Sequence, residues 1–250
     1  MMRILIFWLL FPLVLPQALY VRRTATRFSP AQGPSEGTTG SGSPVRLLAV
    51  GDSIVAGVGA PTLTEALVGQ TALALTFAKE CSVQWKAMGV SGHDAQDLLD
   101  STLPKLSGEA YDYIIVSVGV NDITGLTSLR KWRENLADII ERLLAHSPGA
   151  VIAFAGMPPM HGFPLLPQPL RAVFGMRAKV FDVVTRQALA GHPNAVHVPV
   201  DFDPDPAKFS ADGYHPSAAS YTEFGRHMAE GLGAAKYQNN ALTELRSIES

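Results

Sequence analysis

The sequence predicts an α/β fold, a three-layer α/β/α sandwich built on a five-stranded parallel sheet. Short apolar runs alternate with longer helix-like stretches along the 250 residues, which is the pattern of parallel strands joined by crossover helices. Three of the runs are almost uninterrupted in apolar residues, as expected for strands that are buried on both faces. With 47% hydrophobic residues, the chain can bury the core that one such domain needs.

The predicted elements follow this alternation in order. The five strands are the runs 45–50, 82–87, 113–118, 150–155 and 196–200, of which the first, third and fourth are the most apolar. The five helices are the stretches 63–79, 95–106, 129–145, 170–190 and 218–231. The first helix has a body rich in Ala and Leu, and Ser147-Pro148-Gly149 gives the third helix a stop signal.

Composition divides the chain into four parts. Residues 1–23 are expected to be an N-terminal signal peptide or membrane anchor, because Arg3 precedes an apolar run with the length of a secretory signal core. Residues 24–44, rich in Ser, Gly, Thr and Pro, are expected to be a flexible linker. Residues 45–235 are expected to form the folded domain, and residues 236–250 a C-terminal tail.

The N-terminus supports two interpretations of localisation. Pro16, two residues before Ala18, makes a poor cleavage site, so a retained anchor is plausible beside a cleaved leader. Three arginines follow the apolar run and one precedes it, and this bias favours a body on the cytoplasmic face of the membrane. A domain behind a leader and a linker instead favours export. We expect an exported protein that is membrane-associated, periplasmic or extracellular.

Charge and spacing argue against nucleic acid, metals and cofactors. The net charge is −2; residues 1–45 hold four arginines and one glutamate, hence +3, which leaves −5 for residues 46–250 and suggests no nucleic-acid surface. The histidines show no metal-binding spacing, and the acidic run 201–212 has Pro206 where a calcium loop needs glycine. The single cysteine, Cys81, is expected to be a packing residue. We predict no metal and no cofactor.

Four short motifs follow predicted strands or precede the last helix. They are Gly51-Asp52-Ser53, Gly89-Val90-Ser91-Gly92, Gly119-Val120-Asn121-Asp122 and Asp212-Gly213-Tyr214-His215-Pro216. Each one alone is ordinary turn chemistry. The carboxyl ends of parallel strands meet at one edge of a sheet, however, so the fold would bring Ser53, Asn121 and the loop before the last helix together.

These residue types together suit nucleophilic catalysis. A serine hydroxyl is a poor nucleophile unless a base takes its proton, and His215 is the candidate base for Ser53. Asp212 could hold the other ring nitrogen and so fix the tautomer. The oxyanion of a tetrahedral intermediate would find donors in the Asn121 amide and in the backbone N–H groups of Ser53 and Gly92. Gly89 is a second candidate for the glycine, and we prefer Gly92 because a helix-like segment starts just after it.

The four motifs in this order resemble the SGNH (GDSL) hydrolase family, over roughly residues 46–232. The resemblance implies a flavodoxin-like SGNH hydrolase fold with the nucleophile at Ser53 and the Asp-x-x-His pair at Asp212 and His215. It places the oxyanion glycine at Gly92 and the oxyanion asparagine at Asn121. The departure from the pattern is the middle block, with its two candidate glycines.

We therefore expect a serine hydrolase that cleaves carboxylic esters through an acyl-enzyme, an esterase whose candidate substrates include lysophospholipids and thioesters. The alternative is an acyltransferase or deacetylase that acts on cell-envelope sugars. A non-catalytic binding module is disfavoured, because both Ser53 and His215 are present. The expected partners are a small-molecule or lipid acyl ester and, through the N-terminus, a membrane.

The segment 157–167, after the fourth predicted strand, is long, apolar and rich in proline. Long ordered loops at the ends of strands often border a binding site. We expect this segment to overhang the site as an acyl-side wall or lid. The alternative is a loop that packs on the body without touching substrate.

Overall fold

A six-stranded sheet organises the computed structural model, which describes residues 2–200 and 205–248, with side chains described through residue 235. The strands are β1 Glu36–Thr39, β2 Pro44–Gly51, β3 Ser82–Gly89, β4 Tyr113–Ser117, β5 Val151–Ala155 and β6 Ala195–Val198. The longer helices are α1 Met2–Thr24, α2 Leu67–Lys79, α5 Leu129–His146, α6 Leu170–Leu189 and α7 Ala218–Ile248. Two short helices, α3 Ala95–Asp97 and α4 Val120–Thr124, follow strands β3 and β4.

The strand order is β1-β3-β2-β4-β5-β6, and all neighbours are parallel except β1 and β3. Strand β2 is central, so its residues 47–50 are fully buried. Alternate residues of the sheet enter two cores. Leu48 and Val50 pack with α5 and α6, whereas Leu47 and Ala49 pack with α2 and α7. The three-layer α/β/α architecture is thus confirmed.

The sheet has one strand more than the sequence predicted. Strand β1 pairs antiparallel with β3 and lies inside the segment 24–44 that we expected to be a linker. Its four residues, Glu-Gly-Thr-Thr, have no apolar alternation from which a strand could be predicted. A Cβ on Gly37 would come within 2.5 Å of the Trp85 ring, so glycine allows β1 to lie against that side chain.

The predicted helix 95–106 is also different in the structure. After α3, the chain forms a π-helical turn at Leu98–Thr102 and a 3-10 turn at Leu103–Lys105. Pro104 has no backbone N–H to continue an α-helical ladder, which accounts for the irregular end. Two other boundaries differ: α2 starts at Leu67 rather than at residue 63, and α7 continues to Ile248 rather than ending at 231. The backbone of the expected tail 236–250 is therefore helical through residue 248; residues 249 and 250 lie outside the described part.

The apolar N-terminal segment forms helix α1, which packs on α6. Its Phe7 and Val14 belong to the same core cluster as the α6 side chains. Within the described residues, α1 is the one helix that is long and apolar enough to cross a membrane, with a mean hydropathy of 2.1. A signal sequence near the N-terminus has the same length and apolar composition.

Candidate active site

The exit from β2 places Ser53 at the carboxyl edge of the sheet. Gly51 has a φ of +155°, and a Cβ there would lie 1.9 Å from the carbonyl oxygen of Ser117 on the neighbouring strand. The N–H of Asp52 donates to that same carbonyl at 3.0 Å, and the carbonyl of Asp52 accepts from Ala56 at 3.0 Å. The close approach of two strands and the tight turn therefore require glycine at position 51.

Ser53, His215 and Asp212 form one hydrogen-bonded chain. His215 Nε2 lies 2.9 Å from Ser53 Oγ, and His215 Nδ1 lies 2.6 Å from Asp212 Oδ2. The loop before α7 carries both the acid and the imidazole, three residues apart, and meets the serine 162 residues earlier in the sequence. With Nδ1 protonated towards the carboxylate, Nε2 is free to accept the serine proton.

The surroundings of Asp212 keep it ionised. Burial opposes ionisation, but the bond with His215, the backbone N–H groups of His215 and Tyr214 and the Ser210 hydroxyl together hold the pKa of Asp212 well below its usual range. Its Oδ1 accepts from Ser210 Oγ at 2.7 Å, Tyr214 N at 2.8 Å and His215 N at 3.0 Å. These bonds also fix the carboxylate geometrically, which leaves Oδ2 aimed at the imidazole.

Asn121 lies on α4, the short helix that follows β4. Gly119 before it has a φ of +129°, a conformation that favours glycine, and starts the helix directly beyond the strand. Asn121 Nδ2 donates to the His93 carbonyl at 2.8 Å. An amide nitrogen carries two hydrogens, so this bond orients the side chain and leaves a second donor. Asn121 lines the same cleft as Ser53 and His215.

The two candidate glycines of the middle motif have different surroundings. A Cβ on Gly89 would lie 2.2 Å from Ala56 N, so this glycine allows the chain after Ser53 to pack against β3. Gly92 has a φ of +88° and open space where its Cβ would be. The cleft lining around Ser53 does not include Gly92. Gly92 is linked to the site through the next residue, His93, whose carbonyl holds Asn121.

The cleft beside Ser53 is mainly apolar. Its apolar lining side chains are Ile54, Val118, Val120, Ala155, Met157, Pro158, Phe163, Val200, Phe209, Pro216 and Phe224. Three of them, Met157, Pro158 and Phe163, come from the segment 157–167, so this segment borders the cleft. Its role as an acyl-side wall or lid stays a prediction. Leu165 of the segment donates its N–H to the Gly213 carbonyl at 3.0 Å, which ties the wall to the loop of Asp212 and His215.

Two buried carboxylic acids next to the site were missed by sequence reasoning. Burial raises the pKa of Asp52 to about 6, against the opposing effects of the Ile54 N–H and the charge of His215. Burial likewise raises the pKa of Asp122 to about 7, although the Ala95 N–H donates to its Oδ2 at 3.0 Å. Asp52 directly precedes Ser53 and Asp122 directly follows Asn121, and these positions were the signal that the sequence offered. Aspartate is also common in turns, so the positions alone do not distinguish the two acids from turn residues.

A second acid–histidine pair supports the cleft wall from behind. His197 Nε2 lies 2.7 Å from Asp182 Oδ1, and the same oxygen accepts from the Met157 N–H at 3.0 Å. Burial alone would raise the pKa of Asp182, but the bond with His197 and its charge, the Met157 N–H and Arg186 lower it. The sequence favours a surface or packing role for His197, because the histidines show no metal-binding spacing. No local motif connects His197 to its partner on α6, so the sequence carries no signal for this pair.

The remaining predictions concern metal sites and cysteine. Among the described residues, no group of three or more His, Cys, Asp or Glu side chains could hold a metal ion. The first four residues of the acidic run 201–212 lie outside the described residues. Cys81 is a buried free cysteine.

Comparisons with known proteins point to one family. The profile of the GDSL-like lipase/acylhydrolase family matches residues 49–222. A GDSL-like esterase of Mycobacterium tuberculosis is 30% identical over 196 residues. The match covers 71% of this chain and 58% of that protein. The chain thus spans less than two thirds of the length of this curated relative.

Solved structures show the same fold at low identity. A family 3 carbohydrate esterase from Clostridium thermocellum superimposes with a TM-score of 0.60 at 16% identity, over 78% of this chain and 98% of that one. A lipase from a goat rumen metagenome superimposes with a TM-score of 0.58 at 18% identity, over 77% and 98%. The resemblance that we drew from four motifs is confirmed, since the matched region is well over half of the sequence. The chain belongs to the GDSL-like lipase/acylhydrolase family.

Proposed function

We propose that the protein is a serine hydrolase that cleaves carboxylic esters through an acyl-enzyme at Ser53. The observation that supports this most is the chain of hydrogen bonds from Ser53 Oγ through His215 to Asp212, at 2.9 and 2.6 Å. These distances are within the range that proton transfer from a nucleophile to its base requires. Ser53 and His215 line an apolar cleft, in which an acyl group can lie.

In the acylation step, Ser53 Oγ attacks the ester carbonyl while its proton moves to His215 Nε2. The imidazolium that forms keeps its Nδ1–H on the ionised Asp212, which stabilises the positive charge. When the tetrahedral intermediate collapses, the C–O bond to the alcohol breaks and Nε2 returns the proton to the leaving oxygen. Water then attacks the acyl carbonyl while one of its protons moves to His215 Nε2. When this second intermediate collapses, the bond between the acyl carbon and Ser53 Oγ breaks, the acid leaves and Nε2 returns the proton to Ser53 Oγ.

The oxyanion of both tetrahedral intermediates is proposed to accept from the second N–H of Asn121 and from backbone N–H groups of Ser53 and Gly92. The bond from Asn121 to the His93 carbonyl supports this role, because an amide held in place needs no reorganisation as charge develops. For Gly92 the support is its exposed, left-handed backbone next to that carbonyl.

The acyl side of the substrate is proposed to contact Met157, Pro158 and Phe163. An apolar cleft of this kind suits short to medium acyl esters, and lysophospholipids and thioesters are candidate substrates. Transfer of the acyl group to a sugar, or removal of an acetyl group from one, would use the same acyl-enzyme with a different acceptor. An exported, membrane-associated location is proposed from the apolar helix α1.

The deciding experiment treats the full chain with a fluorophosphonate and measures the intact mass. We expect one adduct, lost in Ser53→Ala and kept in Ser91→Ala, since Ser91 is an exposed serine in the neighbouring motif. An adduct that survives in folded Ser53→Ala, or no adduct on the folded wild type, would argue against the nucleophile and revive the binding-module interpretation.

A positive result leads to a comparison of substrates. Hydrolysis of p-nitrophenyl esters from acetate to dodecanoate gives the preferred acyl length. Lysophosphatidylcholine and an acetylated cell-envelope polysaccharide test the two classes of natural ester. A preference for medium acyl chains supports the proposed wall, whereas activity restricted to acetylated sugar favours the deacetylase alternative.

A further inference from the structure

Helix α1 is held against the hydrolase body along much of its length. Phe7 and Val14, seven residues apart, are almost completely buried against α6. The Phe174 ring of α6 lies 6.4 Å from the Phe7 ring and 6.3 Å from the Phe11 ring. The buried guanidinium of Arg177 lies 4.8 Å from the centroid of Phe7, in cation–π geometry. These contacts form an interface on one side of α1.

Polar contacts fix where α1 sits on that interface. Gln17 Nε2 donates to the Gln168 carbonyl at 3.0 Å, and Gln17 Oε1 accepts from the Leu170 N–H at 3.2 Å. The nitrogen and the oxygen of the Gln17 amide are therefore both hydrogen-bonded to the turn that starts α6. Apolar packing alone would allow the helix to slide, whereas a two-sided amide contact specifies one register.

The opposite side of α1 is apolar and uncovered. Leu5, Leu9 and Leu13 follow at intervals of four residues, which places them in one stripe, and each is at least 66% exposed. Exposed arginines lie at both ends of the helix and just beyond it. They are Arg3, Arg22, Arg23 and Arg27. An apolar stripe with basic ends is complementary to a membrane surface that carries anionic lipid.

A helix in this position cannot cross a bilayer. Residues 7–17 cover about 15 Å of helix, half the thickness of a hydrocarbon core, and contact a folded body over that length. We propose that α1 stays on the mature protein and lies in the plane of the membrane surface, with its inner side on α6 and its leucine stripe in lipid. This inference deepens the proposed membrane association and does not depend on the chemistry at Ser53.

The docked helix adjoins the parts that carry the site. Its end, near Tyr20 and Thr24, borders a cavity whose other walls include Leu165, Pro167 and Asp212. Arg177, beneath Phe7, donates from Nε to the Ile123 carbonyl at 3.1 Å on α4, the helix of Asn121. An in-plane α1 would therefore hold the cleft close to the lipid surface, where an acyl ester can enter from the membrane.

Docking is tested by photo-cross-linking of the full chain bound to vesicles of phosphatidylcholine and phosphatidylglycerol. The photoreactive analogue p-benzoylphenylalanine replaces Phe11, which faces Phe174, or Leu13, which faces outward, in separate proteins. We expect a cross-link to α6 peptides from position 11 and to no peptide of the body from position 13. No cross-link to α6 from position 11 in folded, vesicle-bound protein would overturn docking and indicate a spanning or free helix.

Lipid contact and retention are tested separately. Leu9→Glu with Leu13→Glu should lower vesicle partitioning at least tenfold, while Phe77→Glu, at an equally exposed phenylalanine on α2, should leave it unchanged. Unchanged partitioning of the double variant would show that the leucine stripe does not contact lipid. If the wild type is a dimer and the double variant is a monomer, the stripe contacts a second copy of the chain and not lipid. A mature protein whose mass lacks the residues before 24 would overturn retention. None of these readouts requires ester cleavage, so they can fail independently of the proposed activity.

Discussion

Each side chain of the candidate triad has its role set by its nearest neighbours. Asp212 accepts three hydrogen bonds on Oδ1 and one contact from His215 on Oδ2, so the carboxylate can neither rotate nor gain a proton easily. The imidazole is thereby held with Nε2 towards Ser53. What distinguishes Ser53 from an ordinary turn serine is the 2.9 Å distance between its Oγ and His215 Nε2. A sequence motif does not contain this distance.

Replacing Asp212→Asn should lower kcat of ester hydrolysis by about 1,000- to 10,000-fold with a small change in KM. The amide can donate to Nδ1 and so favour the wrong imidazole tautomer, in which Nε2 carries the proton and cannot accept from Ser53. The control is Asp205→Asn, an exposed carboxylate on the same loop. Similar losses in both variants would indicate disruption of the loop and not a role at His215.

Asp122 predicts a pH dependence of stability. The folded state holds the proton of Asp122 up to about pH 7, whereas the unfolded state releases it near pH 4, so the native state binds more protons between these values. Stability contributed by this group is therefore present at low pH and is lost as the pH rises towards 7. An asparagine in its place has no proton to lose and removes this dependence.

The free energy of unfolding of Asp122→Asn relative to wild type should rise by about 2 to 3 kcal/mol between pH 5 and pH 8. Urea unfolding of both proteins at the two pH values gives this difference directly. Parallel changes in the two proteins would mean that the carboxyl is already ionised at pH 5.

At the scale of elements, the strands β2, β4 and β5 carry the site, and the turns after them set its shape. The turn after β5 begins at Gly156, directly over the bond between Asp182 and His197: a Cβ there would lie 2.9 Å from His197 Nε2 and 3.0 Å from Asp182 Oδ1. This pair holds the Met157 N–H and with it one wall of the cleft.

Gly156→Ala should therefore destabilise the protein by about 1 to 3 kcal/mol and should raise KM for medium-chain esters more than for acetate. The matched control is Gly149→Ala, where a Cβ would meet no heavy atom within 4 Å. Thermal melting and a KM series along the acyl length measure both effects. An increase in KM that is equal for all esters would show that Met157 does not contact the acyl chain.

The sequence predicted those elements of the fold and the site that depend on residues close together in the chain. The apolar runs of β2, β4 and β5 predicted the central strands and the fold class. The four motifs predicted that Ser53 and His215 lie together, and the structure places Ser53 Oγ 2.9 Å from His215 Nε2. Strand β1 was missed because four polar or small residues become a strand only against β3. The Asp182–His197 pair and the Gln17 contacts were missed for the same reason, since each joins residues that are adjacent only after folding.

At the scale of the whole molecule, the N-terminal 44 residues belong to the folded structure more than their composition suggested. Helix α1 contributes Phe7 and Val14 to a core cluster, and β1 completes the sheet. The candidate active site and helix α1 are linked by α6, which contacts α1, α4 and α5. Residues 2–44 and the body are in this sense one folded unit.

Strand β1 also determines how the protein can be handled. It covers the outer edge of β3, an eight-residue strand whose free N–H and C=O groups would otherwise be open to pairing with another molecule. A version trimmed to start at residue 45, where the composition suggests a clean boundary, would uncover that edge. Such a protein would keep every residue of the triad and yet be prone to intermolecular strand pairing and aggregation.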